Sequence, residues 1–127
     1  MSDALKPPSG SIAWIDLTVP DATGVRDFYK DVVGWDHDAC DMDGYQDFNM
    51  MAAGTDLPIA GICHARGGNA DMPPSWMIYI TVPDVDAAAA RCGESGGKVL
   101  VGPKGEKQRF CVIEDPAGAV CALFESK

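Results

Sequence analysis

Leu17-Thr18-Val19-Pro20-Asp21 returns as Ile80-Thr81-Val82-Pro83-Asp84, 63 residues further along a chain of 127. That offset is close to half the length, so the chain reads as two copies of one unit. The same offset carries Ile15 onto Ile78, and a segment of helical periodicity follows each copy. In the first, Asp21 can cap a helix with apolar positions Val25, Phe28, Tyr29 and Val32, stopped by Gly34. In the second, Asp84 caps Val85, Ala88, Ala89 and Cys92, ended by Gly93 or the pair Gly96-Gly97.

Each helix is preceded by a strand rich in β-branched and aromatic residues, 11–19 in one copy and 76–82 in the other. Shorter strands follow between turn residues: 45–52 and 58–65 in the first copy; 98–101, 109–113 and 119–125 in the second, with a turn at Pro103-Lys104-Gly105. A short strand is placed at 35–38, and the acidic run Asp36, Asp38, Asp41 and Asp43 before Gly44 is otherwise read as a solvated loop. It lacks the spaced ligand ring and distant Glu of a calcium loop. The fold class is α+β: two tandem βαβββ modules, 11–65 and 76–127, in a single domain 1–127. Residues 66–75, with Gly67-Gly68 and Pro73-Pro74, form the linker. Helices on one sheet face leave the other as the natural ligand surface, a cleft completed within one chain or by a second copy.

At roughly 150 residues per domain the length predicts one domain, which should bury about two-thirds of its unfolded surface. Hydrophobic residues are 46% and charged residues 23%, which excludes disorder and fibrous repeats. A formal net charge of −9 repels phosphate backbones and anionic lipid, so neither nucleic acid nor a membrane is an expected partner. No apolar run approaches the ~20 residues of a membrane span, and MSDALKPPSG lacks the regions of a signal peptide; a cytoplasmic protein is expected. Five cysteines, never spaced C-x-x-C, read as reduced thiols.

The combination W-x-D-L-x-V-P-D, F-Y-K-D-V-V-G-W, a second V-P-D-V-D and E-D-P-A-G-A-V-x-x-L-F-E resembles the glyoxalase/bleomycin resistance protein/dioxygenase family, the vicinal oxygen chelate superfamily, over residues 11 to 125. The resemblance implies paired βαβββ modules and commonly a homodimer. In its metal-dependent members, His, Gln or Glu side chains from the first and last strands of each module hold a divalent ion. The positions that match those motifs are Trp14, Met77, Ala122 and one near Gly61. None is a hard ligand, and a thioether is a poor substitute, so no metal and no cofactor are expected.

Alternation along strands puts Ile15, Leu17 and Val19 under the first helix and Ile78, Ile80 and Val82 under the second. Trp14, Asp16 and Thr18, and Met77, Tyr79 and Thr81, then take the opposite face. By the family's register, Val120, Ala122 and Phe124 face the cleft. The expected substrate-binding residues are Trp14, Asp16, Met77, Tyr79, Arg109, Ala122 and Phe124. Asp16 interrupts an apolar strand: a basic partner such as Arg109 would keep it charged, or burial would make it a general acid or base. His64 is the second catalytic candidate, turned into the cleft if the fourth strand shifts by one residue.

No nucleophile elbow, dinucleotide-binding loop or phosphate-binding loop is present. The expected function is metal-independent binding of a small apolar or aromatic molecule. The alternatives are a metal-dependent lyase, isomerase or dioxygenase of the same superfamily, a metal-free isomerase using Asp16 or His64, and a protein-interaction module.

Overall fold

A computed structural model describes residues 8–126. Its elements run β1 (Ile12–Val19), α1 (Ala22–Val33), β2 (Asp36–Asp41), β3 (Gln46–Met51), β4 (Pro58–His64), a 3₁₀ turn (Gly67–Asn69), β5 (Met77–Val82), α2 (Val85–Glu94), β6 (Lys98–Lys104), β7 (Phe110–Glu114) and β8 (Val120–Glu125). The class is α+β, with βαβββ occurring twice. Two compact units result, one of Ile15–Trp76 and one of residues 77–126 with the described start of the chain up to Trp14.

In the first unit the strand order is β2-β3-β4-β1, with β4 and β1 parallel and the other pairs antiparallel. α1 starts where Asp21 Oδ1 accepts the Gly24 N–H at 2.9 Å, and stops at Gly34, whose φ of +77° a side chain would strain. Ala22, Phe48, Met50 and Ile62 form the core, with Val19, Val25, Tyr29, Trp35 and Trp76 packed against it. Trp76 donates its indole N–H to Tyr29 Oη at 3.0 Å, and Tyr29 stacks on Trp35 at 5.3 Å.

The helix therefore buries Ala22 and half-buries Val25 and Tyr29, whereas the expected Phe28 and Val32 are 56% and 59% exposed. Both sets have helical spacing. The set containing Ala22 lets the first turn approach the sheet closely, and Phe28 touches Tyr29 from outside at 5.1 Å. The acidic run is also corrected: Asp36–Asp41 is an edge strand, paired to β3 along its whole length. Having one neighbour strand, it needs little apolar character, so its sequence looks like a loop.

The second unit orders its strands β5-β8-β7-β6, with β5 and β8 parallel. The start of the chain joins β5 through Gly10 N–H to Thr81 O at 2.7 Å and Thr81 N–H to Ser11 O at 2.9 Å. Two carboxylates begin α2: Asp84 Oδ1 accepts the Ala87 N–H at 3.1 Å and Glu125 Oε2 the Val85 N–H at 3.0 Å. Val85, Ala88, Ala89, Cys111 and Leu123 make the core, flanked by Ile80, Val82, Val99 and Ile113.

The helix runs past Gly93 to Glu94 and is capped by Ser95, directly before the other expected stop, Gly96-Gly97. At Gly97 a Cβ would come within 2.6 Å of Cys92 Sγ and 2.9 Å of Glu114 O, so no larger residue fits. β6 continues through the expected turn at Pro103-Lys104, because it is the outermost strand and bulges twice against β7. An outer strand tolerates a proline that a central one would not.

Candidate functional site

Each unit carries its own helix-free sheet face. In the second unit, Ile80, Cys111, Ile113 and Leu123 pack toward α2, so the residues alternating with them point the other way. Met77 and Tyr79 come from β5, Ala122 and Phe124 from β8, Phe110 and Val112 from β7. The register sets Tyr79 against Ala122 and Val112 against Ala122, with Phe110 against Phe124. Met77, Val112 and Ala122 are buried, and the half-buried rings of Tyr79, Phe110 and Phe124 form the accessible part. Tyr79 and Phe124 meet edge to face at 6.2 Å. Thr81 shares this parity but is 0% exposed, its hydroxyl bonded to Pro8 O at 3.0 Å. Val112 was not singled out by sequence reasoning; alternation along the expected strand 109–113 would have found it.

Arg109 has a different partner from the one considered for it. It forks onto Asp86 of α2, Nε to Oδ2 and Nη2 to Oδ1 both at 2.8 Å, and donates to Gly105 O at 3.2 Å. Those bonds to Asp86 hold its pKa above the usual value. Asp16, in contrast, belongs to the first unit.

On the helix-free face there, the strand registers line up two polar rows. Asp38, Asn49, Gly61 and Asp16 form one. Cys40 pairs with Asp47 and Cys63 with Thr18, and the β3–β4 register, Phe48 against Ile62, sets Asp47 beside Cys63. Cys63 Sγ lies 3.9 Å from Asp16 Oδ2, with Asp47 beside it in the register of β3 on β4. Asn49 Nδ2 donates to Cys40 Sγ at 3.4 Å. Asp47, 7% exposed, accepts the His64 N–H at 2.8 Å.

Burial, then the charges of Asp16 and Asp47, push the Cys63 thiol far up. A raised pKa keeps the thiol protonated beside the carboxylates and lowers its reactivity as a nucleophile. Cys111 is pushed up to about 11, chiefly by burial, and all five cysteines are free thiols. The sequence reasoning missed Asp47, Asn49 and Cys63; the alternation Asp47, Phe48, Asn49, Met50 in an expected strand was the available signal.

His64 lies on the helix-bearing side. It aligns with Val19, two residues from core Ile62, with its ring against Phe48 and Tyr45 and Nδ1 2.8 Å from Gln46 O. The shift that would turn it toward Asp16 does not occur, because Gly61 is the residue in register with Asp16.

A divalent ion of the family type finds no donors at the matching positions. Trp14 is half-buried, Met77 and Ala122 are buried and apolar, and Gly61 has no side chain. Among the described residues one acidic trio, Asp84, Asp86 and Glu125, brings ligand atoms within 4.8 Å. Oxygens of all three accept hydrogen bonds, those of Asp84 and Glu125 from the start of α2 and those of Asp86 from Arg109. Among the described residues, no helix is long and apolar enough to cross a membrane.

Known proteins agree with this architecture. The glyoxalase/bleomycin resistance protein/dioxygenase superfamily profile matches residues 11–123. A putative glyoxylase CFP32 of Mycobacterium tuberculosis is 32% identical over 120 residues, covering 92% of this chain and 46% of that one. The anthracycline biosynthesis protein DnrV of Streptomyces peucetius is 31% identical over 128 residues, covering 91% and 46%. The chain thus spans about half the length of these relatives. The crystal structure of a superfamily member from Vibrio splendidus 12B01 superposes with a TM-score of 0.59 at 12% identity, covering 89% of this chain and 97% of that one. With a superfamily match across nearly its whole length and a duplicated βαβββ fold to accompany it, the chain belongs to the glyoxalase/bleomycin resistance protein/dioxygenase superfamily.

Proposed function

We propose that this chain binds a small apolar or aromatic molecule without a resident divalent ion, on the helix-free face built by Met77, Tyr79, Phe110, Ala122 and Phe124. One observation carries the reading: the matching ligand positions hold Trp14, Met77, Ala122 and Gly61, while half-buried aromatic rings stand beside two of them. Such a surface favours planar apolar compounds through stacking and burial, each CH₂ removed from water contributing about 0.8 kcal/mol. On the helix-free face of its own unit, Asp16 offers a separate polar contact to a ligand N–H or O–H. The relatives named a glyoxylase and an anthracycline biosynthesis protein fit handling of a small molecule. The chain acts as a homodimer in the cytoplasm on this reading.

Two measurements test it together. Metal analysis of protein purified without chelator should find less than stoichiometric Fe, Mn, Ni or Zn. A thermal-shift screen of aromatic compounds should find at least one that raises Tm, since saturating ligand adds RT ln(1 + [L]/Kd). Stoichiometric metal would favour the second reading, a metal-dependent lyase, isomerase or dioxygenase of the superfamily. A screen without a single stabilising compound would remove the binding role.

A further inference from the structure

The unit Ile15–Trp76 carries eleven aspartates against two arginines, one lysine and two histidines. Electrostatics alone would scatter so few basic groups among so many acids. Four of the five, all but Lys30, stand against the rings of Phe48 and Tyr45. Arg26 lies over the Phe48 ring at 4.6 Å, and His37 meets the same ring edge to face at 5.6 Å. His64 touches Phe48 and Tyr45, and Arg66 lies over Tyr45 at 4.1 Å.

The densest part is the seam between α1 and β2. Arg26 and Lys30 are one turn apart on α1, and His37 stands on β2 in register with core Met50, facing the same side. Asp27 and Asp36 flank the group; the His37 pKa is lowered first by burial and then by Arg26 and Lys30, against the two carboxylates. Arg26 is 19% exposed, and its bond partner Asp27, the next residue in the chain, is 59% exposed. An exposed pair of this kind is weak, about 0–1 kcal/mol, and a dianion can displace it. A planar guanidinium, an ammonium and an imidazole are the donor set that grips a tetrahedral oxyanion.

We infer that the seam between α1 and β2 is a binding site for a sulfate- or phosphate-type oxyanion, held by Arg26, Lys30 and His37. The inference is independent of the aromatic face in the other unit. Lys30 is exposed on the helix and supports no core contact, so it can be changed without unfolding the chain.

Sulfate, whose charge does not change between pH 5 and 8, is the probe. Titration of the intact protein at constant ionic strength, with chloride as balance, should shift the His37 imidazole NMR signals saturably. Lys30→Gln should weaken sulfate about tenfold, while Lys98→Gln, in the other unit, leaves the curve unchanged. Phenyl phosphate compared with inorganic phosphate then assigns the source: equal affinity points to a free anion, tighter binding to the phosphate group of an organic molecule. Identical responses to sulfate and chloride, or a Lys30→Gln curve that overlays the parent, would overturn the proposal.

Discussion

Cys63 aims its thiol at Oδ2 of Asp16, 3.9 Å away across the parallel β1–β4 pairing. The contact ties together the two residue types most often considered for catalysis, and it disarms one of them. A half-buried thiol beside two carboxylates is disfavoured as its anion.

Iodoacetamide at pH 8 should therefore leave Cys63 unmodified in the folded protein and modify it in denaturant, as read by peptide mass mapping. Asp16→Asn removes one of the charges that raise the thiol, so its alkylation above pH 9 should accelerate relative to the parent. Labelling of native Cys63 at the denatured rate would show that the thiol is not held in this way.

The side of α1 that faces the sheet has a direct energetic test. Tyr29 stacks on Trp35 and accepts from Trp76, so Tyr29→Ala should cost about 2–3 kcal/mol, less than a fully buried aromatic because the ring is half-buried. Phe28→Ser, one position away and 56% exposed, should stay within about 0.5 kcal/mol of the parent. Urea unfolding of both variants checks the pair. A larger loss for Phe28→Ser would restore the orientation expected from spacing.

Gly97→Ala should destabilise by about 1–3 kcal/mol, the ordinary range for overpacking. The new methyl would run into Cys92 Sγ and the carbonyl of Glu114, and the latter is backbone that cannot swing aside. Cys92→Ala in the same chain should recover part of the loss, measured by thermal unfolding. No recovery would place the whole strain on Glu114.

The features legible in the sequence are the local ones. The repeated Thr-Val-Pro-Asp carried the two helix starts, and the side chains of Asp21 and Asp84 do cap them. Alternation placed Met77 and Tyr79 on one face because strand period is a local property, whereas Ala122 and Phe124 came from the register that the family resemblance implies. Asp36–Asp41 was obscure because an outer strand held by backbone pairing need not be apolar. The partner of Arg109 depended on where α2 sets Asp86, which lies 23 residues away in sequence. Asp47 and Cys63 acquire meaning through register across strands, which no single-strand pattern contains.

The His37 ring supplies a dependence on pH. Its pKa lies below 6.5 because of burial first and then Arg26 and Lys30 from α1, opposed by Asp27 and by Asp36 beside it on β2. The unfolded chain therefore binds the proton more readily than the folded one. The stability contributed by the neutral ring is present above about 6.5 and is lost as pH falls from there through the lower folded value. His37→Gln should flatten this part of the stability curve while leaving the carboxylate-driven loss at more acidic pH in place, as followed by urea midpoints at pH 7.5, 6.5 and 5.5. Saturating sulfate should have a related effect on the parent protein, because an anion seated against Arg26 and Lys30 raises the His37 pKa toward its ordinary value. A His37→Gln profile parallel to the parent across that window would mean that the ring is not set by these neighbours.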